Sequence, residues 1–467
     1  MSKFWRILLV IVAVAFGIRV MYVAVAKNGP CTISLLNGRV THSPSACAVG
    51  DQLFYNSEAN YVADGHGFNE PLAAVLHPGS RPGPAADHPP LTVFVLTPVS
   101  WLADHPPLSW VMNDEPVNDH VREHRYTMVV LGTINVLLIG LLGRRAARDV
   151  TRLPTDATAL VAAGIAAVNP NAWVNDGLVM SETITVMTVI GALLCAYALR
   201  DRPTLGRAAA LGAVCGLAIL ARVEMALLVV LLGVVLPFTV KPRTTGRGTL
   251  VAGALVASVI VVAPWVGFNL ERFHDTTLVS TNDGLALLGA NCDATYSGPG
   301  MGLWLPGACP VPAVSGDQSQ QSSAYRSQAV DYIKAHKPRV PLVALARVGR
   351  TWGLFRPSDM IDYNTGEGRE RWVTRLGMVV YYPVLIAAIA GAVVLWRRRS
   401  RVELWVLLAP VLAVTITSAI TYGQTRFRAA AEPSLAVLAA VAAVALVVWL
   451  AERRSDADRR TRVLVGE

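Results

Sequence analysis

Charge is scarce in this chain. Asp, Glu, Lys and Arg make up 16% of its 467 residues, where a soluble protein carries about 25%. With 53% of the residues hydrophobic, gathered in runs of Val, Ala and Leu, this shortage excludes an ordinary soluble domain and points to a polytopic membrane protein. Nucleic-acid-binding motifs are also lacking. The formal net charge is +9, but Lys and Arg sit in short clusters between apolar runs, a pattern of membrane topology rather than of a DNA-binding face. No nucleic-acid partner is expected. Internal repeats are not visible, which weighs against a transporter built on inverted repeats. Paired C-x-x-C spacing is missing, so metal binding by cysteine is disfavoured.

What is present is a series of about ten apolar segments near span length. They run over residues 7–26, 127–142, 157–168, 182–199, 208–221, 225–240, 250–268, 376–396, 402–420 and 429–450. In a strictly alternating arrangement, the clusters Lys3/Arg6, Arg144/Arg145/Arg148/Arg152, Arg200/Arg202/Arg207, Lys241/Arg243/Arg247, Arg397–Arg401 and Arg453–Arg460 all fall on one side. The positive-inside rule makes that side the cytoplasm and places both termini there, with the protein in the plasma membrane. Residues 1–26 read as a retained first helix, although Ala24-Val25-Ala26 has the form of a cleavage site. The other divisions are an extracytoplasmic loop at 27–126, a bundle at 127–268, a second outer loop at 269–375, closing helices at 376–450 and a cytoplasmic tail at 451–467.

Loops of that length tend to be functional. Cys31 and Cys47 share the first, Cys292 and Cys309 the second. In an oxidising compartment each pair makes a local disulfide. Cys195 and Cys215 fall inside apolar runs and read as small core residues.

Chemistry concentrates in the first loop. Asp51, in Val49-Gly50-Asp51-Gln52-Leu53-Phe54-Tyr55, opens a short amphipathic helix, as a working carboxylate or as a helix N-cap. Asp87-His88-Pro89-Pro90-Leu91 introduces a second apolar stretch, with a turn and cap as the plainer reading. His66, His77 and His88 share this loop with the acids, so a divalent cation is conceivable; the metal ligands are left unassigned. Arg222-Val223-Glu224 and Arg426-Phe427-Arg428 stand at the outer edges of spans. Arginine forks there suit phosphate oxygens, and snorkelling anchors are the alternative. Glu182 begins a span, as a cap or as a partner for Arg222. A glycosyl transfer on the outer face draws on a lipid-phosphate sugar. It needs a carboxylate to deprotonate the acceptor hydroxyl and cations to hold the departing phosphate.

Gly50-Asp51-Gln52 with Tyr55, Pro89-Pro90-Leu91 and Ser181-Glu182 resemble the C-type (GT-C) glycosyltransferases. So do Leu220–Glu224, Ser280-Thr281-Asn282-Asp283-Gly284 and Arg426-Phe427-Arg428 with Glu432-Pro433. The nearest branch is that of bacterial protein O-mannosyltransferases and lipid A aminoarabinose transferases. The motifs are short; their order along most of the chain carries the likeness. It implies an all-α GT-C-like bundle of about ten transmembrane helices with two long extracytoplasmic loops. It further implies a polyprenyl-phosphate sugar donor, of mannose or arabinofuranose, with a glycan, lipid or protein acceptor and membrane lipids as the other partners. Asp51 would be the general base. Asp87, His88, Glu182, Arg222, Glu224, Asn282 and Tyr55 would bind substrate, and Arg222, Arg426 and Arg428 the lipid phosphate. Gln52 departs from the pattern, standing where a second acid is usual, which puts pair-dependent metal binding in doubt. The alternative is a transporter or lipid flippase of the cell envelope.

Overall fold

The computed structural model describes residues 2–29, 31–34, 40–43, 48–71, 73, 82–105, 120–240 and 245–465. Helix α1 (Lys3–Tyr22) widens into a π turn reaching Lys27. A small antiparallel ribbon follows, β1 (Cys31–Ser34) against β2 (Val40–Ser43), in the register Cys31↔Ser43. Next come α2 (Asp51–Ala63) and α3 (Leu91–Asp104), then α4 (Val121–Ala147), α5 (Thr155–Val168), α6 (Pro170–Asp176), α7 (Glu182–Asp201) and α8 (Leu205–Ala221). The broken apolar segment α9 (Val223–Thr239) leads to α10 (Arg247–Arg272). The second polar region carries α11 (Asp283–Leu288), α12 (Gln318–Ala335), α13 (Val340–Thr351) and α14 (Pro357–Thr365). Helices α15 (Arg371–Arg397), α16 (Arg401–Ile420) and α17 (Glu432–Val465, entered by the tight turn Thr425–Ala431) close the bundle.

Seven helices among the described residues are long and apolar enough to cross a bilayer: Lys3–Lys27, Val121–Ala147, Glu182–Asp201, Arg247–Arg272, Arg371–Arg397, Arg401–Ile420 and Thr425–Asp456. The pair α5 and α6 adds an eighth if the two, bent by 60°, are one span. The three other apolar segments of the sequence are helical but shorter. Residues 157–168 stop at Asn169 because Pro170 holds its predecessor extended, with ψ 115°. The Asn169 side chain then caps α6 by accepting from the Asn171 N–H. The chain is an all-α polytopic membrane protein.

Small residues decide which helices touch. Gly212 and Gly216, one turn apart on α8, face Ala254 and Ser258 on α10 so closely that an added Cβ would strike their backbone carbonyls. Gly140 and Gly143 of α4 lie close to α5, where an added Cβ would press on the side chains of Ala163 and Ala162 at 3.2 and 3.0 Å. Gly391 of α15 lies against the Leu438 carbonyl of α17.

Ion pairs mark one end of the bundle. Arg145 pairs with Asp149 and Asp201, and Arg200 with Asp149 and Glu403. Arg144 pairs with Asp156 and stacks on Phe4. The basic ends of α4, α7 and α16 thus share a face with the start of α1. The other ends of α7 and α16, about 30 Å away by helix rise, carry the two polar regions, which fold over each other there.

Candidate functional site

Two glycines let the polar regions meet. Gly50, with φ 60°, lies against Gly366 and Glu367 and is the N-cap of α2. Gly368, with φ 82°, leaves no room for a Cβ beside Gln52 and Val49. Gln52 fastens the contact: its Nε2 donates to the Glu367 carbonyl at 3.1 Å and to that of Val49 at 3.4 Å, and its Oε1 accepts from the Val179 N–H at 3.4 Å. At 1% exposure it is a buried tie. Asp51 therefore occupies the first turn of α2 rather than the cap position, which Gly50 takes.

Asp51 points into a cavity of about 770 Å³, a size ordinary for a ligand site. Arg426 Nη2 donates to Asp51 Oδ2 at 2.7 Å, and His88 Nε2 stands 3.7 Å from the same oxygen. Burial pushes the Asp51 carboxyl up, but the Arg426 guanidinium and His88 outweigh it and hold the group well below the usual carboxylate range. Phe54 and Tyr55 pack on the His88 ring, with centroids 4.7 and 5.0 Å away. Burial is the main cause that raises the Tyr55 phenol.

A chain of contacts runs from here in both directions. On one side Arg426 also reaches Glu367 Oε1 at 3.0 Å and Glu182 Oε1 at 3.6 Å. Arg222 bonds Glu224 Oε1 at 2.6 Å and Glu182 Oε1 at 3.2 Å. Burial opposes the charge on Arg222, but Glu224 and Glu182 outweigh it and raise the group's pKa. Arg369 pairs with Glu367 and lies 4.0 Å from Glu182. On the other side Asp87 Oδ2 accepts from Gln318 Nε2 at 2.8 Å. Gln318 Oε1 in turn accepts from the Ala86 N–H and from Thr281 Oγ1. Burial, with a smaller push from Asp51, raises the Asp87 carboxyl. Arg222 and Arg426 thus stand at one end of the cavity with Asp51 and His88 beside them, and the rest of the lining presents hydroxyls, amides and the Asp283–Arg326 ion pair. Val223 and Ile420 line the cavity and are also 41% and 63% exposed on the flank of the bundle.

Of the residues expected at the site, Asp51, Tyr55, Asp87, His88, Arg222, Glu224, Asn282 and Arg426 line this cavity. Glu182 sits just behind it, beneath the arginines. Arg428 does not reach it. Two residues beyond Arg426 in a tight turn, it faces the bundle, bonding Glu432 Oε1 at 2.8 Å and covering the Tyr381 ring at 3.5 Å; it is a packing residue here rather than a phosphate ligand. Cys292 and Cys309 are disulfide-bonded, and Cys195 and Cys215 are free. The Cys31–Cys47 pairing and His77 lie outside the described residues.

The expectations missed Glu367, Arg369 and Gln318. The first two stand in Thr365-Gly366-Glu367-Gly368-Arg369, where alternation of glycine and charge was the available signal. Among the described residues no group of three or more His, Cys, Asp or Glu side chains is placed to hold a metal ion. The Asp51 carboxylate is paired with an arginine and Gln52 faces away, so the residues present do not fit the divalent cation left open above.

No protein-family model matches the chain, and no curated protein is significantly similar to it. Solved structures are. The Archaeoglobus fulgidus oligosaccharyltransferase complexed with Zn and sulfate aligns with a TM-score of 0.53 at 12% identity, covering 98% of this chain and 51% of that one. The oligosaccharyltransferase AglB of that organism, bound to an inhibitory peptide and a dolichol-phosphate, aligns at 0.54 and 12%, covering 98% and 52%. The form tethered to an acceptor peptide containing the NVT sequon aligns at 0.52 and 13%, covering 94% and 49%. The chain spans about half the length of these neighbours. Its fold is that of the GT-C glycosyltransferases.

Proposed function

We propose that the protein is a bacterial membrane glycosyltransferase. It moves a sugar from a polyprenyl-phosphate donor, mannose or arabinofuranose, to a hydroxyl of a glycan, lipid or protein on the outer face of the plasma membrane. The basic end of the bundle is then cytoplasmic and the cavity external. The observation that carries this reading is the pairing of Asp51 with Arg426 inside one cavity, in a bundle of GT-C fold.

In the reaction, Asp51 takes the proton of the acceptor hydroxyl, whose oxygen forms a bond to the anomeric carbon. The bond from that carbon to the phosphate oxygen breaks, and its electron pair stays on the lipid phosphate. Arg426 and Arg222 stabilise that charge. Attack opposite the leaving group inverts the anomeric centre. Asp87, His88, Tyr55, Glu224 and Asn282 orient the sugars, and Glu182 holds the two arginines apart.

The test is transfer of radiolabelled sugar from polyprenyl-phosphate mannose and polyprenyl-phosphate arabinofuranose in membranes carrying wild type or Asp51→Asn. Label moving to product with wild type only supports the reading and names the donor. Transfer by Asp51→Asn at near wild-type rate removes Asp51 from the mechanism.

A further inference from the structure

Arg426 has more carboxylate around it than one guanidinium needs. Asp51 lies at 2.7 Å, Glu367 at 3.0 Å and Glu182 at 3.6 Å. These neighbours are not equivalent. Glu182 is also held by Arg222 and approached by Arg369, and Glu367 is held by Arg369. Asp51 has Arg426 as its one arginine among the described residues, and otherwise only His88 at 3.7 Å. It also faces the cavity most openly, with 28% of its side chain exposed against 17% for Glu367 and 2% for Glu182.

Charge balance makes the difference matter. Four carboxylates (Asp51, Glu182, Glu224, Glu367) surround three guanidiniums (Arg222, Arg369, Arg426), leaving one negative charge in excess. A phosphate anion entering such a buried cluster is repelled unless a carboxylate yields its place. Of the three carboxylates around Arg426, Asp51 is the one that can yield without stripping a second arginine of its partner, and Glu224, the other carboxylate with a single arginine, pairs with Arg222 instead.

We infer that Arg426 exchanges partners: Glu367 and Glu182 keep the guanidinium in place, while the phosphate of a lipid-linked donor takes the edge that Asp51 occupies, freeing Asp51 to act as base. This inference rests on the reading given under Proposed function. Without donor, Asp51 is locked in an ion pair and is a poor proton acceptor. With donor, the phosphate satisfies Arg426, and burial restores the basicity of Asp51. Transfer then moves one proton from the acceptor hydroxyl to Asp51 and one electron pair from the glycosidic bond to the phosphate. Asp51 becomes neutral as the phosphate gains charge, so the total charge of the site is unchanged. Glu367 is a positioning residue: it touches no reacting atom and holds Arg426 through the exchange.

The test is equilibrium binding of a short-chain polyprenyl phosphate to the full-length protein in nanodiscs, with uncharged polyprenol as control. Wild type is compared with Asp51→Asn and, in case the amide packs poorly, Asp51→Ser. Removing the competing carboxylate should tighten polyprenyl phosphate by about tenfold, a size typical of one competing charge, and leave polyprenol unchanged. Equal or weaker binding by both variants overturns the exchange. Glu367→Gln should raise the donor KM more than it lowers kcat, with Glu367→Asp recovering part of the loss. An equal fall in kcat with KM unchanged overturns the positioning role. The two ideas fail separately. Transfer that is lost in Asp51→Asn with unchanged phosphate affinity leaves the glycosyltransferase reading and removes the exchange. Tighter phosphate binding in Asp51→Asn without transfer by wild type from any such donor does the reverse.

Discussion

Gln52 and Glu367, 315 residues apart in the chain, are joined by a hydrogen bond of 3.1 Å from the Gln52 amide to the Glu367 carbonyl. That bond sits directly behind the Asp51–Arg426 pair. It gives the amide at position 52 a structural role of its own. A carboxylate there would keep the Val179 N–H and the Arg125 Nη2 as donors to one oxygen, at 3.4 and 3.5 Å from Gln52 Oε1, but would have no N–H to offer the carbonyl oxygens of Glu367 and Val49.

Gln52→Glu is therefore expected to destabilise the protein by about 2 kcal/mol, as two buried carbonyl oxygens lose their N–H donor, and to create no metal site. Thermal unfolding with and without added divalent cation measures this. A melting temperature at or above wild type, or one that cations raise, contradicts it.

Arg426→Lys and Arg428→Lys should separate cleanly although the residues are neighbours. Arg426 faces the cavity, where a lysine cannot replace a two-pronged guanidinium, so the donor KM should rise at least about tenfold with little change in melting temperature. Arg428 is buried against Glu432 and Tyr381. Its replacement should lower the melting temperature and leave the donor KM alone.

Glu58 is fully buried, and among the described residues neither of its carboxylate oxygens has a hydrogen-bond partner. Burial first, then Asp87, pushes its pKa up to about 9, with Arg272 offsetting part of the shift. A raised acid contributes its stability in full below its unfolded pKa, about 4.3, and loses it as pH climbs toward the folded value. Glu58→Gln should thus match wild type near pH 5 and melt several degrees higher at pH 8. A pH-independent difference between the two proteins would refute the assignment.

Reduction of Cys292–Cys309, or Cys292→Ser with Cys309→Ser, opens a loop whose ends are 17 residues apart. The expected cost is about 3 kcal/mol, read as a lower melting temperature in the presence of reductant. Cys195 and Cys215 are partly or fully inside the bundle, so wild type and a double Ser variant at those positions should respond alike.

The helices were legible because burial in lipid demands long apolar runs: 182–199 in the sequence is α7, and 402–420 is α16. Their true lengths were less so. The run at 157–168 ends at an Asn-Pro pair whose local geometry overrides hydropathy. At the site, Arg426 could be proposed because charge beside a span is costly without a purpose, and Asp51 because the order of the short motifs resembles a known family. Arg428 looked equivalent, since which way a side chain leaves a tight turn depends on tertiary packing. Glu367 and Gln318 gave no periodic signal; their roles come from contacts hundreds of residues away in sequence.

Val223 and Ile420 belong both to the cavity wall and to the exposed flank of the bundle. A ligand with a long hydrocarbon tail can accordingly reach the arginines while its tail remains among neighbouring lipids. Its search for the site is then two-dimensional, governed by lateral diffusion within one leaflet. Occupancy follows the mole fraction of the ligand among the lipids rather than its concentration in bulk water. Lengthening such a tail past the cavity wall would change how firmly the ligand is held in the membrane and not how well it fits the protein.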